Sequence, residues 1–127
     1  MTTIPLGRFL WTRLHQVGIE SILGVPGDFN LTLLDYIYDV DGLEWVGSTN
    51  ELNAAYAADG YARVKGVGCL VTTHGVGELS ALNGIAGAMT EQVKVIHVVG
   101  QTSRKMQQAK IMIHHSIGGC ELSFWEK

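Results

Sequence analysis

The amino-acid sequence predicts an α/β fold in which a parallel β-sheet carries helices on both faces. Short apolar runs with strand character alternate with helical patterns along the 127 residues. The connections between them are short, and the run at 68–73 is apolar enough to be buried on both faces. Alternating βαβαβαβ elements over short loops are typical of this class, and the length suits one domain with a real core.

Each element follows from a local pattern. Apolar residues recur at helical spacing after Pro5, which suits a first turn, and Gly18 follows as a stop. The second helix has one apolar face, the third consists largely of small residues and closes at Gly66, and the fourth follows a glycine loop. The predicted helices are 5–16, 30–40, 51–64 and 78–91, and the predicted strands are 21–25, 43–47, 68–73 and 93–100.

Composition restricts the classes of function. Hydrophobic residues make up 46% of the chain and charged residues only 17%, so part of the surface is expected to be covered by another domain or subunit. The net charge of −3 without a basic cluster argues against a nucleic-acid partner. No stretch has the pattern of a membrane span or a secretory signal. Cys69 and Cys120 show no framework spacing, which predicts a reduced protein of the cytoplasm.

Glu51 is the main candidate for chemistry. It follows the predicted strand 43–47 and opens the helix of small residues. Such strand-to-helix junctions are where open α/β sheets bind ligands. The competing interpretation is a capping box formed by Ser48 and Glu51, which spacing alone favours. The small residues weaken this alternative, because they indicate a helix packed closely against other backbone on more than one side.

The other loops at the same predicted edge carry further candidates, each with a plain structural alternative. Gly75 and Gly77 could cradle an anion at a helix N-terminus, but close helix–strand packing is the favoured interpretation. Asp28 could exchange protons at the rim or simply cap the following helix. His114 and His115 could donate a proton near neutral pH or lie solvated on a surface loop. Their spacing indicates no metal site.

Four segments together resemble one enzyme family. They are GVPGD at 24–28, NELNAAYAADGYAR at 50–63, TTHGVGELSALNG at 72–84 and the histidine pair at 114–115. The resemblance is to thiamine-diphosphate-dependent 2-oxo-acid decarboxylases, and within them to the fungal type of pyruvate decarboxylase. It runs from about residue 6 to residue 118. The segment around Glu51 resembles the wider thiamine-diphosphate superfamily, and the histidine pair is what points to decarboxylases.

The resemblance implies a flavodoxin-like pyrimidine-binding domain over residues 1–118, followed by a tail at 119–127 without family character. Glu51 would hydrogen-bond the pyrimidine ring nitrogen of the cofactor and so assist removal of the thiazolium proton. Three further residues would contact the substrate carboxylate and protonate the carbanion that remains when carbon dioxide leaves: Asp28, His114 and His115. Four residues would contact the pyrimidine: Gly27, Thr73, Gly75 and Gly77.

The implied activity is non-oxidative decarboxylation of a small 2-oxo acid such as pyruvate to an aldehyde and carbon dioxide. In this family thiamine diphosphate and magnesium are also held by a second domain, whose Gly-Asp-Gly…Asn motif does not occur in these residues. We therefore expect a truncated product or fragment, inactive alone, whose sheet lacks an edge. We also expect it to form a homo-oligomer or to pair with a diphosphate-binding domain.

Two alternatives stay open at the level of the sequence. The chain could be a non-catalytic interaction module that pairs with full-length decarboxylase subunits through its apolar, small-residue helices. It could also be an ordinary flavodoxin-like binding domain without thiamine chemistry.

Overall fold

The structure, a computed structural model, describes residues 3–111 and residue 113. Its strands form one four-stranded parallel sheet in the order β2-β1-β3-β4. This confirms the predicted fold class. In chain order the elements are α1 (Leu6–Gln16), β1 (Ser21–Gly24), α2 (Leu31–Asp35), a 3₁₀ helix (Tyr36–Asp39), β2 (Glu44–Gly47), α3 (Glu51–Lys65), β3 (Gly68–Thr73), α4 (Val76–Thr90), β4 (Val95–Gly100) and α5 (Arg104–Gln108).

One face of the sheet packs on α1, α2 and the 3₁₀ helix. The side chains of this layer are large and apolar, and Trp11 at its centre has no exposed surface. The indole Nε1 of Trp11 donates a hydrogen bond of 2.7 Å to the carbonyl oxygen of Leu33, which satisfies its one polar atom. The cluster consists of Trp11, Leu14, Ile19, Ile22, Leu34, Ile37, Leu43, Cys69 and Val71.

The opposite face packs on α3 and α4, and its side chains are small. Leu23 and Leu70 point to this face, whereas their neighbours Ile22 and Val71 point to the other, as strand alternation requires. The helix residues of this cluster are alanines. Because β3 is an inner strand of the sheet and lies between the two helical layers, all six of its residues are buried, as the sequence predicts.

The contact between α3 and α4 is the closest helix pairing in the fold. A Cβ atom added at Gly84 of α4 would lie 2.6 Å from the Cβ atom of Ala55 on α3, so the backbones approach as near as glycine allows. Three residues further along α4, a Cβ atom at Gly87 would meet nothing within 4 Å. The small residues of α4 therefore serve close contact at Gly84 but not at Gly87. Helix α3 also lies close to β3, since a Cβ atom at Gly68 would lie 2.6 Å from the carbonyl oxygen of Ala58.

Several boundaries differ from the sequence-based prediction by one or two residues, and three differences affect the helices beyond that or at the candidate site. The helix predicted at 30–40 is divided into α2 and the 3₁₀ helix. Helix α4 begins at Val76, two residues before its predicted start, because Gly77 is part of the helix instead of the loop before it. The polar segment after residue 103 contains the short helix α5. Among the described residues, no helix is long and apolar enough to cross a membrane.

Alanine substitutions at two glycines of α4 should have opposite effects on stability. Gly84→Ala overpacks the contact with α3, and we expect a loss of about 1–2 kcal/mol in the free energy of unfolding, net of the gain in helix propensity. Gly87→Ala faces open space and should gain up to about 1 kcal/mol. Urea denaturation of the two variants measures the difference. Equal midpoints would contradict the close contact at Gly84.

Candidate active site

The carboxyl edge of the sheet has a topological switch point between β1 and β3. The chain leaves β1 towards α2 on one face, and it leaves β3 towards α4 on the other. Diverging connections of this kind leave a crevice at the sheet edge, where open α/β sheets bind ligands. The loops after β1 and β3, together with the start of α3, bring most of the predicted site residues to this crevice.

The side chain of Thr73 lies between two of the predicted glycines. A Cβ atom at Gly27 would lie 2.8 Å from the Cβ atom of Thr73 and 3.2 Å from its Oγ1. A Cβ atom at Gly77 would lie 2.9 Å from its Cγ2. Larger residues at either glycine would thus collide with the end of β3. Within the described part of the chain, the buried Oγ1 of Thr73 has no hydrogen-bond partner.

Glu51 is the first residue of α3, and its carboxylate reaches the start of α4. A Cβ atom at Gly77 would lie 3.2 Å from Oε1 of Glu51, so the glycine leaves room for the carboxylate. The N-cap of α3 is Asn50, whose Oδ1 accepts a hydrogen bond of 2.8 Å from the backbone N–H of Asn53. The predicted capping box of Ser48 with Glu51 is therefore wrong, and the backbone N–H of Ser48 instead donates to Gly24.

Asp28 is exposed on the loop that follows β1. It does not cap α2, because the N-cap position belongs to Asn30. The buried Asn30 turns its Oδ1 back to accept a 2.9 Å hydrogen bond from the backbone N–H of Gly27. The alternative interpretation of Asp28 as the N-cap of the following helix is thus wrong.

Gly75 forms the turn into α4. Its φ of 65° and ψ of −111° are a backbone conformation that side chains rarely tolerate. The backbone N–H of Gly75 donates to Oε2 of Glu78 at 3.3 Å. Partial burial raises the pKa of Glu78, and this hydrogen bond opposes the rise. Glycine is therefore required at position 75 by the turn. At position 77 it is required by close packing of α4 on the end of β3, which is the interpretation favoured from the sequence.

Two histidines near the crevice were not singled out from the sequence. His74 is buried beside Phe29, with ring centroids 4.7 Å apart and an interplanar angle of 63°. His97 on β4 shares a 2.9 Å hydrogen bond between its Nε2 and Oγ1 of Thr72. Only the position of His74 within the glycine motif could have indicated it, since neither histidine has a periodic signal.

The predicted residues His114 and His115 lie outside the described residues, as does the tail at 119–127. In the part of the chain that the structure describes, no group of three or more His, Cys, Asp or Glu side chains could hold a metal ion. The structure therefore brings together Gly27, Asp28, Glu51, Thr73, Gly75 and Gly77 around one crevice.

The fold and the crevice define a parallel α/β cofactor-binding domain with one carboxylate at its centre. Residues 4–121 match the family described as thiamine pyrophosphate enzyme, N-terminal TPP binding domain, and the chain belongs to this family.

Over its full length, the chain is also similar to curated fungal proteins. It is 56% identical over 127 residues to the pyruvate decarboxylase of Candida glabrata, of which it covers 22%. It is 58% identical over 127 residues to pyruvate decarboxylase isozyme 3 of Saccharomyces cerevisiae, of which it covers 23%. The chain thus spans about a fifth of the length of these relatives. Both alignments extend beyond the predicted domain boundary at residue 118, which stays a prediction.

The residues of the crevice fit the pyrimidine ring of thiamine diphosphate. Gly27 and Gly77 make room for the side chain of Thr73, whose hydroxyl is a buried polar atom without a partner among the described residues. Glu51 offers a carboxylate at the first turn of α4. A heterocycle with ring nitrogens and an amino group can form hydrogen bonds with a hydroxyl and a carboxylate of this kind.

His97 should make the domain sensitive to acid. Burial lowers its pKa to about 4 from an ordinary 6.5, so below pH 6.5 the unfolded chain takes up a proton that the folded chain does not. Stability present above pH 6.5 is therefore lost as the pH falls towards 4. Because solvent reaches part of the ring, we expect a loss of about 1–2 kcal/mol from this group.

The test is urea denaturation at pH 7.5 and pH 4.5 of the natural chain and of His97→Gln. Glutamine keeps a hydrogen-bonding group near Thr72 but does not titrate in this range. The natural chain should lose more stability than the variant on acidification. Equal losses in the two proteins would show that His97 titrates normally in the folded state.

Proposed function

We propose that this chain is the pyrimidine-binding domain of a thiamine-diphosphate-dependent decarboxylase that converts pyruvate, or a closely related 2-oxo acid, to an aldehyde and carbon dioxide. The observation that carries this proposal is the carboxylate of Glu51 held against Gly77 at the mouth of the crevice. The family match to residues 4–121 supports the cofactor, and the names of the fungal relatives support the reaction. A cytoplasmic location stays a prediction.

Each residue of the crevice has a definite part in this proposal. Gly27, Thr73, Gly75 and Gly77 would bind the pyrimidine ring, and Glu51 would exchange a proton with a ring nitrogen through its carboxylate oxygens. The chemistry supplied by bound thiamine diphosphate is an electron sink for the electron pair that remains when carbon dioxide leaves. The buried alanines that follow Glu51 by one turn, Ala54 and Ala55, would help to exclude water from this exchange.

Asp28 and the pair His114–His115 would act on the substrate side. Asp28 lies at the rim, where a carboxylate can hold or release a proton near the substrate carbon. The histidines would supply a second proton donor near neutral pH. Magnesium and the diphosphate would require ligands from outside the described residues, since these contain no metal-binding group.

Replacing Glu51 by glutamine should abolish most activity while leaving the fold intact. The assay protein is a chimera in which this chain replaces the aligned segment of the Candida glabrata pyruvate decarboxylase, with which it aligns over 127 residues. We expect Glu51→Gln to lower kcat for pyruvate by at least about a hundredfold, because glutamine cannot exchange the proton. Acetaldehyde release, coupled to NADH oxidation by alcohol dehydrogenase, measures the rate.

The matched control is Glu44→Gln. Glu44 accepts a 2.8 Å hydrogen bond from Ser21 at the opposite edge of the sheet, and glutamine keeps an acceptor there. The control chimera should retain the parent rate. A Glu51→Gln chimera as active as the parent would leave Glu51 a structural role only. A folded, cofactor-loaded parent chimera without activity would overturn the proposed reaction.

We further propose that the domain associates through α3 and α4, with a second copy or with an intact decarboxylase subunit. Five large apolar side chains on these helices are between 42% and 84% exposed. Such exposure on a chain with only 17% charged residues favours association. These residues are Tyr56, Val64, Val76, Leu82 and Met89.

Sedimentation should show the 127-residue chain self-associating at micromolar concentration or joining the intact Candida glabrata enzyme. The double variant Tyr56→Lys with Leu82→Lys should be monomeric in both experiments. Leu6→Lys on α1 is the control, because Leu6 is 80% exposed but lies outside α3 and α4. A natural chain that sediments as a monomer alone and in the mixture would contradict the association.

A further inference from the structure

The imidazole of His74 joins two loops of the crevice. His74 is only 6% exposed, and its ring meets Phe29 in an edge-on arrangement with centroids 4.7 Å apart. Phe29 directly follows Asp28, and His74 directly precedes Gly75. The contact thus connects the loop that carries Asp28 with the turn that begins α4.

Two hydrogen bonds and one close contact also hold the loop that carries Asp28. Its turn is closed by a bond from the backbone N–H of Asn30 to the carbonyl oxygen of Gly27 at 3.0 Å and by the Asn30 side chain. The turn then rests on Gly100, where an added Cβ atom would lie 2.8 Å from the Cβ atom of Asn30. The backbone N–H of His74 donates to Gly100 at 2.9 Å. The same point of β4 therefore supports both loops.

We propose that His74 is a positioning residue for Asp28 and acts through the ring contact with Phe29. This inference rests on the proposed function for the role of Asp28 in the reaction. An aromatic ring at position 74 restricts the ring of Phe29 and thereby the backbone on which Asp28 stands. A residue of similar volume without an aromatic edge fills the space but loses this restriction.

Two variants separate the ring contact from simple packing. His74→Phe keeps an aromatic ring, and His74→Leu keeps bulk without one. Amide hydrogen exchange of the 127-residue chain, without cofactor or substrate, measures how often this loop opens. The amides to follow are the N–H groups of Gly27 and Asn30, which close the turn. We expect exchange about two- to tenfold faster in the leucine variant than in the phenylalanine variant.

Two controls show whether any change is local. The amides of β3 report opening of the whole fold, and their exchange rates should be the same in the leucine and phenylalanine variants. His15→Leu replaces a half-buried histidine on α1, whose Nδ1 lies 3.0 Å from the carbonyl oxygen of Ile19, and should leave Gly27 and Asn30 unchanged. Equal exchange at Gly27 and Asn30 in the two position-74 variants would overturn the proposal.

A double-mutant cycle in the chimera tests the connection to Asp28. His74→Leu should lower kcat about two- to tenfold with little change in KM, and His74→Phe should restore most of the rate. In a chimera that already carries Asp28→Ala, His74→Leu should have no further effect. Independent effects of the two substitutions would overturn the positioning role. An inactive parent chimera would instead contradict the proposed function, and the exchange experiment would still decide the loop contact.

Discussion

The close approach of α3 to α4 is the constraint on which the candidate site depends. Both helices begin at the carboxyl edge of the sheet, so the distance between their axes also sets the distance between their first turns. Ala55 and Gly84 allow the backbones to touch, and as a result the carboxylate of Glu51 comes within reach of Gly77. A larger residue in this contact would separate the helix starts and move the carboxylate from the crevice.

The sheet and its layers were predictable because their signals are local and periodic. The run at 68–73 lacks charged residues since β3 is covered on both faces, and the alternating elements define the parallel order. The cap of α3 was not predictable, since Ser48 and Asn50 are both good capping residues. The outcome depends on a tertiary contact, because the backbone N–H of Ser48 donates to Gly24 of β1 and is not available to the side chain of Glu51. The helix begins two residues later, with Asn50 as its N-cap.

The candidate site was predictable where it rests on motifs and unpredictable where it rests on contacts. Glu51, Asp28 and the glycines stand out because each departs from its surroundings in size or charge. The role of Gly77 as the neighbour of a carboxylate requires two helices to meet, and sequence spacing contains no such information. His74 is similar, because its partner Phe29 belongs to another loop and precedes it by two strands.

The distribution of buried polar side chains gives an argument for the site that does not depend on relatives. In the described part of the chain, these residues all lie at the carboxyl edge of the sheet or in the loops that follow it: Asn30, Thr72, Thr73 and His74. The side chains of Asn30 and Thr72 have hydrogen-bond partners within the fold, whereas the Oγ1 of Thr73 has none among the described residues. Burying a polar group without a partner is unfavourable, so an apolar residue would be more stable at position 73 unless the hydroxyl is used. Their concentration at one edge, around a hydroxyl without a described partner, indicates an interior shaped to bind a polar ligand there.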